Sequence, residues 1–254
     1  MNACIMKSVS GPETKTAMQQ TKEKAMKKLS VMIALLGWSG LALGSPVGVY
    51  VNDSFTAPTL DSAVWNSSAA GVSIRTDIQQ VKIQGGWIQS KAMVSPTAGE
   101  TVILSATEIW NTDWSRNTYW GLSDASGSNY IILDEQSNWY VKMMNGGVSQ
   151  VTSGQVEWGS DMRYAWTIAW SPTAVLIQKT TPATGTVTVF DSSVTGPSGG
   201  GSWNFPTVDM GIKAGALESS NELYFGSLTL EVVPEPASLA LLGAAGLLLM
   251  RRRR

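Results

Sequence analysis

Tyr164-Ala165-Trp166-Thr167-Ile168-Ala169-Trp170 sets a large apolar side chain on every second residue, with Ala, Thr and Ala between them. Successive side chains of a strand point to opposite faces. A period of two therefore buries one face and leaves the other to small or polar groups. Outward from this stretch, runs of the same kind alternate with Gly, Pro, Asn and Ser clusters. Ile78 to Ile83, Thr101 to Trp110, Thr118 to Leu122, Tyr130 to Asp134 and Trp139 to Met144 read as strands. So do Tyr164 to Trp170, Val175 to Lys179, Thr186 to Phe190, Val208 to Lys213 and Leu223 to Val232. Asn145-Gly146-Gly147 is a hairpin signal, because a two-residue loop needs positive φ at both central positions. No stretch of this region carries a helical period, and no internal repeat is evident. Ten or more strands without helices predict an all-β, antiparallel sandwich or barrel.

The two ends of the chain differ from this middle. Lys27 and Lys28 precede the apolar stretch Leu29 to Leu43, and Ala42-Leu43-Gly44 places small residues at −3 and −1 of a cleavage site. This predicts a signal peptide over 26–44, an N-terminal signal helix cut by signal peptidase between Gly44 and Ser45. Residues 1–25 read as a non-native or disordered extension, with translation starting at Met26. At the other end, the apolar run Leu239 to Met250 holds twelve residues before four arginines, 251–254. As a helix of about 1.5 Å per residue it spans roughly 18 Å, against about 30 Å of bilayer hydrocarbon. It makes a marginal permanent anchor. Pro234 and Pro236 prevent helix from reaching back through Glu235, so Val233 to Pro236 should be extended and exposed at the membrane surface.

Val-Pro-Glu-Pro-Ala-Ser, an apolar run and terminal arginines resemble the PEP-CTERM sorting tail of exported Gram-negative bacterial proteins. The resemblance covers 233–254. It implies recognition at Pro234, Glu235 and Pro236 by an exosortase-type membrane enzyme, transient inner-membrane anchoring, and removal of the tail. Delivery to the cell surface or extracellular matrix would follow.

The domain between these ends, 45–232, has 188 residues, enough for one sizeable core. It holds eight basic and sixteen acidic side chains, a charge of −8, without a basic run. Such a surface is unsuited to phosphate backbones, which excludes nucleic acid. Cys4, the sole cysteine, precedes the signal, so packing alone must hold the exported domain. The chain has no histidine, which removes Ser-His-Asp and Cys-His catalysis and the usual zinc, copper and haem ligands.

A second, looser resemblance spans nearly the whole domain. Asp53-Ser54-Phe55 with Leu60-Asp61 and Trp65 is similar to the opening of concanavalin A-like, laminin-G-like jelly rolls. Tyr119 to Asp124 with Tyr130-Ile131-Ile132 resembles their inner strands. Tyr164 to Pro172 resembles a strand ending in a Trp-x-Pro turn, and Leu223 to Val232 resembles the closing strand. It implies two antiparallel sheets of six or seven strands, one concave, with first and last strands paired.

That family includes laminarinase-like glycosidases and lectins, so the site must decide. Its glycosidases supply their carboxylates as Glu-x-Asp-x-x-Glu. No glutamate of this domain is followed by Asp two residues on. Glu108 with Asp113, and the neighbours Asp134 and Glu135, are the best substitutes, and adjacent strand residues face opposite sides. The domain is therefore expected not to be an enzyme, with a divergent glycoside hydrolase as the third reading. No cofactor is expected. Asp124 to Asn129 offers oxygen ligands for a structural calcium, but without an Asp-x-Asp pair it reads first as an Asx turn.

Tryptophan is the remaining signal, with ten in the domain. Trp65, Trp120, Trp166 and Trp170 occupy apolar strand positions and are expected in the core. Trp114 lies in the polar stretch Asn111 to Asn117, where its indole would stack on a sugar while Arg116, Asn111 and Asn117 hydrogen-bond hydroxyls. Trp203 and Phe205, after the Gly-rich loop 196–201, are also expected to be exposed. The sequence thus predicts an exported, non-enzymatic structural or adhesive protein. The alternative is a lectin-like module that recognises exopolysaccharide.

Overall fold

The computed structural model describes residues 45–68, 70–107, 110–111, 117–135, 139–152 and 165–235, with the backbone alone at 110, 111 and 135. The extension 1–25, the signal segment with Gly44, Pro236, the apolar run and the arginines lie outside the described residues. Among those described, no helix is long and apolar enough to cross a membrane.

The described residues form strands and no helix. In chain order these are β1 (Gly48–Asp53), β2 (Trp65–Ser67), β3 (Val72–Arg75), β4 (Gln80–Gln84), β5 (Trp87–Ser90) and β6 (Glu100–Thr107). Then come β7 (Trp110–Asn111), β8 (Thr118–Ser123), β9 (Tyr130–Glu135), β10 (Trp139–Asn145), β11 (Val148–Val151) and β12 (Ala165–Ser171). The last five are β13 (Ala174–Thr181), β14 (Gly185–Asp191), β15 (Gly211–Ala216), β16 (Glu222–Phe225) and β17 (Ser227–Pro234). They build a six-stranded sheet, β1-β17-β6-β12-β13-β14, and a seven-stranded sheet, β11-β10-β9-β8-β15-β5-β2. A four-stranded sheet, β3-β4-β16-β7, completes the fold. Every strand pairing is antiparallel, and the first and last strands pair, Gly48 facing Val232.

Alternation does what the sequence implied. In β12, Trp166, Ile168 and Trp170 are fully buried while Thr167 and Ala169 are half-exposed. Trp120 of the seven-stranded sheet meets Trp166 of the six-stranded sheet edge-to-face, 6.3 Å between ring centres. Phe225 of β16 meets the same Trp120 at 6.2 Å, so the small sheet closes onto the shared core. Trp65, Trp120, Trp166 and Trp170 are all core residues. The opening motif is a local staple: Asp53 accepts the Phe55 amide at 2.8 Å and the Trp65 indole N–H at 2.7 Å. Gly146 and Gly147 make the β10–β11 hairpin at φ of 57° and 86°.

Some expected strands are redrawn. Thr101 to Trp110 is not one strand, and neither is Leu223 to Val232. Each is divided between the six-stranded and four-stranded sheets, with β6 beside β17 and β7 beside β16. The break falls at Gly226, whose amide donates to the Thr107 carbonyl at 2.9 Å, so the two neighbouring chains leave one sheet for the other side by side. Val208 is exposed, and β15 starts only at Gly211, because Met210 instead bridges Val94. Gln79 has a φ of 53°, which delays β4 to Gln80. The short strands β1, β2, β3, β5 and β11 were not among the expected runs.

Candidate functional site

Residues that alternate with the core of the seven-stranded sheet form its outward face. Register brings them into rows. Trp87 of β5 faces Gly215 of β15, Gly215 faces Tyr119 of β8, Tyr119 faces Asp134 of β9, and Asp134 faces Tyr140 of β10. The adjacent row runs Asn66, Gln89, Lys213, Gly121, Ile132, Lys142 and Val151 across all seven strands. Glycine at 215 is required by a close approach. A Cβ there would lie 2.5 Å from the Tyr119 ring, so the ring lies across the bare backbone of β15. Trp87, one strand further, is 37% exposed. Two aromatic groups thus line neighbouring parts of one surface. Gly121, at a φ of 152°, likewise leaves its position in the second row without a side chain. A Cβ at Gly121 would strike the Ile131 carbonyl at 2.2 Å.

Polar groups flank these rings. Lys142 and Asp134 form an ion pair with side chains 16% and 11% exposed, recessed for residues on an outward face. Burial, and then the charge of Asp134, raise the Tyr119 hydroxyl above its ordinary pKa, so it remains a neutral donor. Gln89 donates to the Asp124 carbonyl at 2.9 Å, bracing the rim. Recessed aromatic faces beside a few hydrogen-bonding groups suit a sugar ring, which has apolar faces and a polar edge.

Among the described residues of this face, Asp134 is the one carboxylate, and Lys142 holds it. Glycosidic hydrolysis takes two carboxyl groups, on the order of 5 to 9.5 Å apart. Glu108 and Asp113 lie outside the described residues. Asp124 is hydrogen-bonded within its own turn. It accepts from Ser126 Oγ, the Ser128 amide at 3.0 Å and Asn129 Nδ2 at 2.7 Å, which is an Asx-type turn. Burial pushes its pKa up, but the hydrogen bonds from Asn129 and Ser126 outweigh that and hold it below the usual carboxylate range. Among the described residues, no three acidic, histidine or cysteine side chains converge on a point.

Of the residues expected to bind glycan, the structure describes the side chains of Asn117 and Trp203. Trp114 and Arg116 lie outside the described residues, and of Asn111 the backbone alone is described, paired with Leu223. Asn117 has a φ of 85° and donates to Glu218 at 3.1 Å, tying two loops together. The expectation for Trp203 is corrected. It is buried, 8% exposed, packed edge-to-face on Phe190 at 5.6 Å, with its indole N–H donating to the Thr195 carbonyl at 2.6 Å. A loop that finds both an aromatic partner and a carbonyl acceptor folds its tryptophan inward. Phe205 is half-buried against the core rather than exposed.

A separate polar cluster crosses the small sheet. Lys82 meets Glu222 at 2.5 Å, the Tyr224 hydroxyl donates to Glu222 at 2.6 Å, and Lys82 lies over the Tyr224 ring. Burial, then the hydrogen bond to Glu222, push the Tyr224 hydroxyl up to about 12. These groups satisfy one another, which makes the cluster a brace between β4 and β16.

With this geometry in place, comparison with known proteins identifies the fold. A glycosyl hydrolase family protein from Mycobacterium fortuitum superposes with a TM-score of 0.50 at 12% identity, covering 72% of this chain and all of that one. The exoplasmic/lumenal domain of VIP36, solved with calcium and a mannose-containing oligosaccharide, gives 0.50 at 11%, covering 73% and 89%. At such identities the likeness establishes the fold, that of concanavalin A-like lectins and glycosyl hydrolase jelly rolls. No curated protein sequence matches the chain. Residues 232–254 match the PEP-CTERM protein-sorting motif, which marks the protein for export and membrane-associated sorting.

Proposed function

We propose that this exported protein is a non-enzymatic adhesive module. It is processed at its tail by an exosortase-type enzyme and retained at the cell surface or in the extracellular matrix by binding exopolysaccharide. One observation carries the binding reading: the row Trp87, Gly215, Tyr119, Asp134 and Tyr140, which sets aromatic surface and recessed polar groups on one outward face. The non-enzymatic reading is supported by the single lysine-held carboxylate among the described residues of that face. The loop around Trp114 stays a second glycan candidate, on the strength of its composition. Incubation of the tail-processed protein with the producing organism's exopolysaccharide tests both parts. Retention of the protein without release of reducing ends is expected. Steady release of reducing ends would make it a hydrolase, and absence of retention would leave a purely structural role.

A further inference from the structure

The sorting motif is continuous with the core. Its first residue, Val232, is 1% exposed and sits between Gly48 of β1 and Val102 of β6. The ladder with β6 continues through Val233 facing Thr101 and Pro234 facing Glu100. Beyond it the Glu235 amide donates to the Gly99 carbonyl at 2.8 Å. Val233, Pro234 and Glu235 are all half-buried. Val232 to Glu235, the described start of the motif, is therefore extended, as Pro234 requires, but it is not the exposed element expected from sequence. It forms the end of a sheet strand and the residue that follows it, with no spacer between the core and Pro234. Ser45, the expected mature N-terminus, is at the same end of the sheet, since β1 begins beside Val232 and the Ser45 amide reaches the Ser95 carbonyl at 3.3 Å.

A protease takes its substrate as an extended chain and offers its own main-chain partners to it. Over Val233 to Glu235 one edge of that chain is already committed to β6. We propose that the tail is cut only when the terminal rungs of β17, Val233 to Glu235, lift off β6. The sorting enzyme then acts on a frayed or not yet closed domain, and the closed sheet protects the site. In the cut, the peptide C–N bond breaks, and the acyl carbon passes to water or another nucleophile. The nitrogen takes a proton and leaves with the tail. Strand ends open locally at far less cost than the whole domain. Pro234 lowers that cost, because it has no N–H to give to the ladder. The inference rests on the reading of the tail as an exosortase substrate.

A cross-link tests it. Facing Cα atoms in an antiparallel pair lie about 4.5 to 5.5 Å apart, within disulfide reach. The full-length precursor carrying Thr101→Cys and Val233→Cys is followed in membranes that contain the processing enzyme. Oxidation should slow tail removal at least tenfold, and reductant should restore it. Equal rates in the oxidised and reduced states would overturn the proposal. Failure of the parent chain to be cut would instead overturn the sorting reading beneath it. A second variant places eight Gly and Ser residues between Val232 and Val233, leaving the β17 core intact. It should be processed several-fold faster than the parent, and an unchanged rate would also count against the proposal.

Discussion

Across the six-stranded sheet, the outward row Thr188, Gln178, Thr167, Ser105, Thr229 and Asn52 is uncharged, the next row holds Asp191, Leu176, Ala169, Ile103, Glu231 and Val49, and neither contains a ring. Across the seven-stranded sheet, the corresponding outward row holds Trp87, Tyr119, Asp134 and Tyr140, with Lys142 and Lys213 in the next. Both faces are made by the same alternation, and both stand over the same core of Trp120, Trp166, Leu104 and Leu133. Folding therefore accounts for the first face. Threonine and serine fit a pleated surface and bond to one another across strands, as Thr107 does with Ser227 at 2.6 Å and Thr180 with Thr186 at 2.9 Å. Folding does not account for the second. An exposed indole, a tyrosine laid over a glycine and a recessed ion pair add little that threonine would not supply. The difference is the ground for the proposed glycan site on the second face.

The comparison is sharpened first by the core. Trp166→Ala should lose about 3–5 kcal/mol of stability, whereas its outward neighbour Thr167→Ala should stay within about 0.5 kcal/mol. Urea unfolding followed by fluorescence reads both, and similar losses would break the assignment of faces. Trp203→Ala should also destabilise, by about 3 kcal/mol, since it empties space beside Phe190 and orphans the Thr195 carbonyl. A neutral outcome would return Trp203 to the exposed positions that its Gly-rich loop suggested. Gly215→Ala forces the Tyr119 ring to move and should cost about 1–3 kcal/mol, as overpacking does, while also weakening retention on polysaccharide. Weakened stability with full retention would show that the ring's placement is irrelevant to binding.

The smallest effect concerns acid. Asp124 has a folded pKa below its ordinary value, so its stabilising contribution is complete above that value and is lost as pH falls through the folded pKa. Stability measured from about pH 5 downward should decline less steeply in Asp124→Asn than in the parent. An identical slope would mean that the folded turn does not hold the Asp124 carboxylate below its ordinary pKa.

The fold was legible because β10 and β12 repeat large apolar residues at every second position, and burial follows that repeat directly. The sheet changes were not, because apolar residues continue through Gly226 and through the stretch before Trp110 without a turn signal. The sorting tail was plain in order and composition, yet its attachment to β6 depends on a partner more than a hundred residues away. The outward aromatic face was hidden for the same reason. Trp87 follows Gly85-Gly86 and lies outside every expected strand, and it meets Tyr119 only through β15, which is far from both in sequence. A glycine inside a strand, Gly215, was the local sign that another group approaches closely.

Affinity electrophoresis of the tail-processed protein through gels containing the organism's exopolysaccharide tests the central claim most directly. Parent, Trp87→Ala, Trp114→Ala and Thr167→Ala would be run side by side, each shown to be folded. The outward face of the seven-stranded sheet predicts that the parent and Thr167→Ala are retarded alike. Trp87→Ala should lose about 1–3 kcal/mol of binding, an order of magnitude taken from aromatic stacking on bases. Retardation kept in Trp87→Ala and lost in Trp114→Ala would contradict the account and move the site to the loop.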